Sequence, residues 1–368
     1  MRIVYMLTSL GIGGAERLTL SIAERMRERG HAVAVLTLRP RLEEEWPTTL
    51  PVFRLGMQKN PLSAAAALLR ARRYLRDLCP DVVHSHGFHP NIFARLLGLV
   101  VPQTAVLSTI HNVYEGGSLR MLAYRLTDPL SRRTTAVSQA AADRFIALHA
   151  VPARKCAVIS NAIDVAEYTP DRARRAETRA ALAAGSRFTW LAAGRLMPAK
   201  DYPNLLRAFA RLRSSLPHTQ LWIAGHGTDG QLSALKALAD ELHLDGALRW
   251  LGLRRDLPAL LDAADGFVLS SAWEGMPLVL AEAMAMEKPV VATDTGGVRE
   301  LVADAGVLVP AKDAERLAQA MRALMLQPAE ARSMQGRAAR RRMQMCFNLD
   351  VRADGWEALY RAVARCRR

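Results

Sequence analysis

Residues 188–201 read FTWLAAGRLMPAKD, and residues 2–14 read RIVYMLTSLGIGG. Each is an apolar, strand-forming run that stops at a glycine and hands the chain to a helix. The same grammar extends outward from both. From the first run the pattern predicts strands at 2–7, 32–38, 82–84, 105–109 and 134–137, with helices at 15–29, 63–78 and 90–99. From the second it predicts strands at 188–193, 220–224, 248–251, 266–269, 289–292 and 307–309, with helices at 202–216, 231–242, 257–263 and 278–286. Apolar strands separated by helices imply parallel strands with right-handed crossovers, so the fold class is α/β with two Rossmann-like doubly wound sheets. The pattern relaxes around Asp164–Ser186, where Pro170, the charge-rich DRARRAETR and Gly185 mark a linker and a lead-in helix. The expected organisation is a first domain over 1–165, a second over 166–345 and a helical tail over 346–368 that packs back on the first. Ligands of such sheets sit beyond the carboxyl ends of the strands, in this case in a cleft expected between the halves.

At 368 residues the chain exceeds what one core supports, which agrees with two domains. Half of it is hydrophobic and 23% is charged, which argues against extended disorder. The net charge of +15 suits polyanionic partners: nucleic acid, acidic phospholipid or phosphorylated substrates. No interleaved aromatic platform or recognised motif accompanies it, so nucleic acid is not expected. Cys79, Cys156, Cys346 and Cys366 are scattered without a C-x-x-C pair and read as reduced thiols. The N-terminus lacks a signal-peptide pattern, and no run of about 18 apolar residues occurs. A cytoplasmic protein is expected, with any membrane contact peripheral.

Three loops carry chemistry. Gly11, Gly13 and Gly14 precede Glu16 at a strand-to-helix turn, where the backbone approaches a ligand and the helix N-terminus favours an anion. The G-x-G-x-x-G spacing is not met, and the second strand ends at Thr37-Leu38-Arg39 without an acidic residue, which speaks against a dehydrogenase. A bare turn is the plainer reading. Gly194, Arg195 and Lys200 follow the strand at 188–193, and both cations on that loop reach a diphosphate. Glu274, Gly275, Met276, Pro277, Leu278 and Glu282 follow the strand at 266–269. Paired carboxylates also occur in glycosidases, but a hydrolase needs no cationic cradle on the neighbouring loop.

The order GIGGAE, SNAID, GRLMPAKD, SSAWEGMPLVLAEAMA, TDTGGVREL resembles the retaining glycosyltransferase family 4 of the GT-B fold over nearly the whole chain. The resemblance implies that Arg195 and Lys200 bind the donor diphosphate and Glu282 the ribose. Glu274, with the backbone of Gly275, Met276 and Pro277, would meet the donor sugar and its phosphates, and Gly14 would bring its amide to the diphosphate. His111, in STIHN, matches the family's histidine near the transferred sugar. Gln139 follows Ser138 where the family often has an acidic residue, so that segment carries no weight.

The implied reaction moves a sugar from a nucleotide-diphosphate donor, UDP in preference to GDP, to a hydroxyl of a glycan or lipid-linked acceptor. It proceeds with retention, in lipopolysaccharide or exopolysaccharide synthesis. No D-x-D motif sits at the donor loops, so neither metal nor cofactor is expected. A GT-B epimerase and a non-catalytic sugar-nucleotide sensor are the alternatives. His84, His86 and His89 form a cluster that suits a cleft lining near the acceptor; a zinc site is conceivable but lacks a fourth ligand. The helix at 63–78 carries Arg70, Arg72, Arg73 and Arg76, with Leu68, Leu69, Leu75 and Leu78 read as its apolar side. A basic amphipathic helix of that kind suits an anionic inner-membrane surface.

Overall fold

The computed structural model describes residues 1–365. Backbone packing divides the chain into a first unit, residues 1–162 with the chain from Leu349 onward, and a second unit, residues 163–348. Cys366 lies outside the described residues.

The first unit contains β1 (Arg2–Leu7), α1 (Gly14–Glu28), β2 (Ala32–Thr37), β3 (Val52–Arg54), α2 (Pro61–Leu78) and β4 (Val82–His86). It continues through α3 (Phe88–Leu97), β5 (Ala105–Ile110), α4 (Ser118–Thr127), β6 (Arg133–Ala136), α5 (Gln139–Ala147) and β7 (Cys156–Val158). Its seven strands run parallel in the order β3-β2-β1-β4-β5-β6-β7.

The second unit contains α6 (Arg172–Ala181), β8 (Phe188–Ala193), α7 (Tyr202–Ser215), β9 (Thr219–Ala224), α8 (Asp229–Glu241), β10 (Leu248–Gly252) and α9 (Leu257–Ala263). After these come β11 (Gly266–Leu269), α10 (Leu278–Ala285), β12 (Val290–Thr293), α11 (Val298–Val302), β13 (Val307–Val309), α12 (Ala314–Leu326) and α13 (Ala329–Cys346). Its six parallel strands take the order β10-β9-β8-β11-β12-β13. Each sheet reverses its winding beside its first strand, between β1 and β4 and between β8 and β11. A doubly wound sheet opens a crevice at such points.

Local chemistry explains where the elements start. Asn60 accepts from Ser63 N (2.8 Å) with Pro61 behind it, Ser138 accepts from Ala141 N, and Thr228 with Gln231 forms a reciprocal capping box. In β11, Gly266 lets the Trp190 indole lie beneath the strand, since a Cβ there would sit 2.9 Å from the ring.

The C-terminal stretch forms two helices, α13 and α14 (Leu349–Arg365), and the chain is pinned between them: Ile163 N donates to Phe347 O at 2.8 Å. Helix α13 stays with the second unit, where Gly336 lies so close to Glu287 O that no Cβ would fit. Helix α14 joins the first unit. Arg25 and Arg29 pair with Asp350, Arg29 also reaches Asp354 and Glu357, and Tyr360 is fully buried.

Candidate active site

The second unit assembles its loops around the end of β8. Ala272 N donates to Ala199 O (2.8 Å) and Ser270 Oγ to Lys200 O (2.8 Å). Thr293 Oγ1 donates to Ser271 O (2.7 Å) and Gly297 N to Gly275 O (2.7 Å). The segments after β8, β11 and β12 therefore form one hydrogen-bonded rim. Gly194 opens it at φ +146°, a conformation that L side chains rarely adopt. Tyr202 OH holds its carbonyl at 2.9 Å, and Gly225 approaches it so closely that a Cβ would fall 1.9 Å from Gly194 O.

Within that rim Lys200 Nζ donates to Glu274 Oε1 at 2.5 Å, and Ser271 Oγ donates to the same oxygen at 2.7 Å. Glu274 is 8% exposed, and its Oε2 has no hydrogen bond among the described residues. Arg195 is exposed, and its guanidinium makes no ion pair or hydrogen bond among them. An ammonium clamped by a buried carboxylate thus stands on the same loop as an unengaged guanidinium. That combination suits a diphosphate better than a neutral ligand. Met276 is buried, Pro277 caps α10 without a side-chain bond, and Leu278 opens the helix.

Glu282 lies in the middle of α10. It is 6% exposed, and its Oε1 accepts from Tyr168 OH at 2.7 Å. Tyr168 lies in the stretch read as linker, and nothing in the sequence spacing pointed to it. Ser271 is the other residue missed; its place three before Glu274 was the available signal.

The corresponding ends of β4 and β5 in the first unit carry neutral rings. His86 Nδ1 and His111 Nε2 lie 2.9 Å apart, and His84 bridges Tyr360 OH (2.8 Å) and Thr109 Oγ1 (2.6 Å). Tyr5 OH and Thr135 Oγ1 extend this buried chain at either end. Burial pushes His84 and His86 well below the ordinary histidine value and His111 down to about 4, so all three are uncharged at neutral pH. Among the described residues His86 Nε2 is buried without a hydrogen-bond partner. His111 N donates to Glu115 Oε1 (3.0 Å), whose carboxyl is raised by burial and held by Tyr124 OH at 2.6 Å. His89 stands apart, exposed, with its ring edge-on to Phe88. Among the described residues no three metal-ligating side chains converge, and His84 is committed to Tyr360 and Thr109.

Gly13 precedes α1, and its carbonyl accepts from Trp46 Nε1 at 3.1 Å; Gly14 is exposed at the first helical position. Gln139 bonds Asp143 beside the capping Ser138, an ordinary helix start.

Residues 12–167 match the family model described as Glycosyltransferase Family 4, and residues 174–342 that described as Glycosyl transferases group 1. Glycogen synthase of Mycobacterium tuberculosis is 30% identical over 394 residues, covering 96% of this chain and 92% of that one. The chain belongs to glycosyltransferase family 4. This glycosyltransferase is also 26% identical to the UDP-Gal:alpha-D-GlcNAc-diphosphoundecaprenol alpha-1,3-galactosyltransferase of Escherichia coli, over 85% of its own length and 82% of that enzyme. Its GT-B fold superposes on HepE of Anabaena, crystallised with UDP and glucose, with a TM-score of 0.88 at 21% identity, covering 98% and 100% of the two chains.

Proposed function

We propose that this glycosyltransferase moves a hexosyl group from a UDP-sugar to a hydroxyl of a lipid-linked glycan, with retention and without a metal. The observation that carries the reading is the rim of the second unit, where Lys200 is locked to Glu274 beside the unengaged Arg195. Two cations at one glycine turn offset charge that builds on a departing diphosphate, which is the task a divalent ion performs elsewhere. Glu274 Oε2 is left to accept from sugar hydroxyls, and Glu282, steadied by Tyr168, from the ribose. Gly275 and the start of α10 supply backbone amides, Gly194, whose own amide is bonded to Ala224 O, lets the backbone approach the diphosphate, and Gly13 and Gly14 supply amides in the first unit.

No carboxylate is assigned as a covalent nucleophile. The acceptor oxygen forms its bond to the anomeric carbon on the face from which the phosphate oxygen leaves, and the acceptor proton passes to that oxygen. His111, neutral at working pH, serves as a hydrogen-bonding partner near the transferred sugar. The UDP donor and lipid-linked acceptor draw support from the named substrates of the Escherichia coli relative and from the UDP bound by HepE.

A thermal-shift panel of UDP, GDP and ADP with their sugars tests the donor, because only a nucleotide that binds the folded state raises its midpoint. UDP and UDP-sugars should act, with chelator making no difference. A rise with GDP alone would discard the UDP assignment. Proton NMR of the product anomer then tests retention, and an epimer formed from donor alone would replace transfer by epimerisation.

A further inference from the structure

Helix α4 is built inside out. Its inward residues, Met121 and Tyr124, are buried with Ile110, Ala141 and Phe145. Its outward residues are Leu119 (81% exposed), Leu122 (48%) and Leu126 (69%), at i, i+3 and i+7 on the face opposite that core. A solvated helix carries charge there; this one places its charges on the two flanks, Arg120 on one and Arg125 on the other. Arg120 rests over the Phe88 ring and donates to Glu115 O. Beside Leu122 opens a cavity of about 370 Å³, lined by Tyr114, Met121, Leu122, Arg125, Arg144 and Leu148. Arg125 and Arg144 are exposed and make no ion pair or side-chain hydrogen bond among the described residues. Of the acids nearby, Asp143 is bonded to Gln139, and the Glu115 carboxylate to Tyr124 OH and His111 N.

We infer that the outward face of α4, with Leu148 at the end of α5, is the surface by which the enzyme docks on an anionic lipid bilayer. Three leucines with two flanking arginines are the composition of a helix lying in the interface, with its apolar face among the acyl chains and the guanidinium groups at the headgroups. The half-exposed Tyr114 fits the same level. Charge complementarity selects a bilayer over a second copy of this chain, whose surplus of +15 would set arginine against arginine.

This also relocates the membrane expectation drawn from α2. There the buried stripe is Ala67, Ala71 and Leu75, Arg70 Nη2 is spent on Leu55 O, and Leu69 is 65% exposed between basic turns rather than on the apolar side. The inference rests on the proposed lipid-linked acceptor, which gives docking its use.

The test is flotation of the full chain with vesicles of phosphatidylglycerol and phosphatidylcholine at low salt, against vesicles of phosphatidylcholine alone. The native chain should float only with the anionic vesicles. The triple variant L119S/L122S/L126S should bind at least about 100-fold more weakly, given about tenfold for each part-buried leucine lost. R125Q/R144Q should bind weakly as well, R73Q/R76Q on α2 should bind almost as the native chain does, and L122W should shift its emission to the blue on vesicles.

Unaltered flotation of the triple variant would overturn the inference. So would absent flotation of the native chain, or a native dimer that the triple variant breaks up. Thermal midpoints with and without UDP, read on the same proteins, keep folding and donor binding separate. A chain that binds UDP but not vesicles sinks the docking surface alone, whereas one that floats without answering any nucleotide sinks the transferase assignment.

Discussion

The two sheets of this enzyme present the same topology and opposite chemistry at their switch points. In the first unit, β4 and the segment after β5 end in His84, His86 and His111, buried and held neutral in a chain that runs from Tyr5 to Thr135. In the second, β8 and β11 end in Arg195, Lys200 and Glu274, all ionic, with the one ion pair among them only part-exposed. Side-chain burial, not backbone geometry, makes the difference. A wall of neutral rings exchanges hydrogen bonds with hydroxyls at no electrostatic cost, while a rim of fixed charges answers a phosphate.

Removing the charges breaks the comparison most sharply. Arg195→Ala should lower kcat by about 100- to 1,000-fold, near 3 kcal/mol, with the thermal midpoint unmoved because the guanidinium holds nothing in the resting protein. Lys200→Ala should lower kcat similarly and also cost about 3 kcal/mol of stability, because it strands the buried Glu274. Steady-state kinetics with calorimetry separates the two, and a loss confined to KM for Arg195→Ala would remove it from the transition state. Gly225→Ala comes next. Its Cβ must displace the Gly194 carbonyl, so donor affinity and second-unit stability should fall together by about 1–3 kcal/mol.

Between pH 7 and pH 5, acid sharpens the contrast by acting on the neutral wall. An unfolded histidine takes up a proton near pH 6.5, whereas the three buried rings resist until far lower, His111 until about 4. Their contribution is complete above pH 6.5 and drains as pH falls, by about 1.4 kcal/mol per pH unit for each ring. In the second unit, burial against Asp262 O and Ala264 O depresses Lys288 from 10.5 to about 8, so its effect moves with pH only on the alkaline side. Segment-resolved hydrogen exchange at pH 7 and pH 5 should show β4 and β5 losing protection ahead of β8 and β11. An equal loss in both units would remove the distinction.

Much of this was legible in the sequence because buried parallel strands leave long apolar runs; β1, β8, β11 and β13 fall where the pattern put them. The three-residue edge strands β3 and β7 are too short to carry a period. Helix α4 left no readable stripe, since its leucines face outward and an aromatic and a methionine face inward. The Lys200–Glu274 contact was foreshadowed by two conspicuous loops, but Tyr168 was not. A tyrosine in an irregular segment leaves no periodic trace, and its partner lies 114 residues away.

Tyr168 also supplies the smallest and most selective effect. Tyr168→Phe keeps the packing of a ring that is 1% exposed and removes only the hydroxyl that donates to Glu282. The carboxylate loses a charge-assisted hydrogen bond, worth about 1.5–3 kcal/mol when intact, part of which other contacts of Glu282 recover. If Glu282 holds the ribose in ground state and transition state alike, the loss is uniform binding: KM for the donor rises several-fold and kcat stays level. Set beside Arg195→Ala, which should move kcat, the pair divides the second unit's rim into a part that binds and a part that stabilises developing charge. A fall in kcat for Tyr168→Phe with donor affinity intact would erase that division.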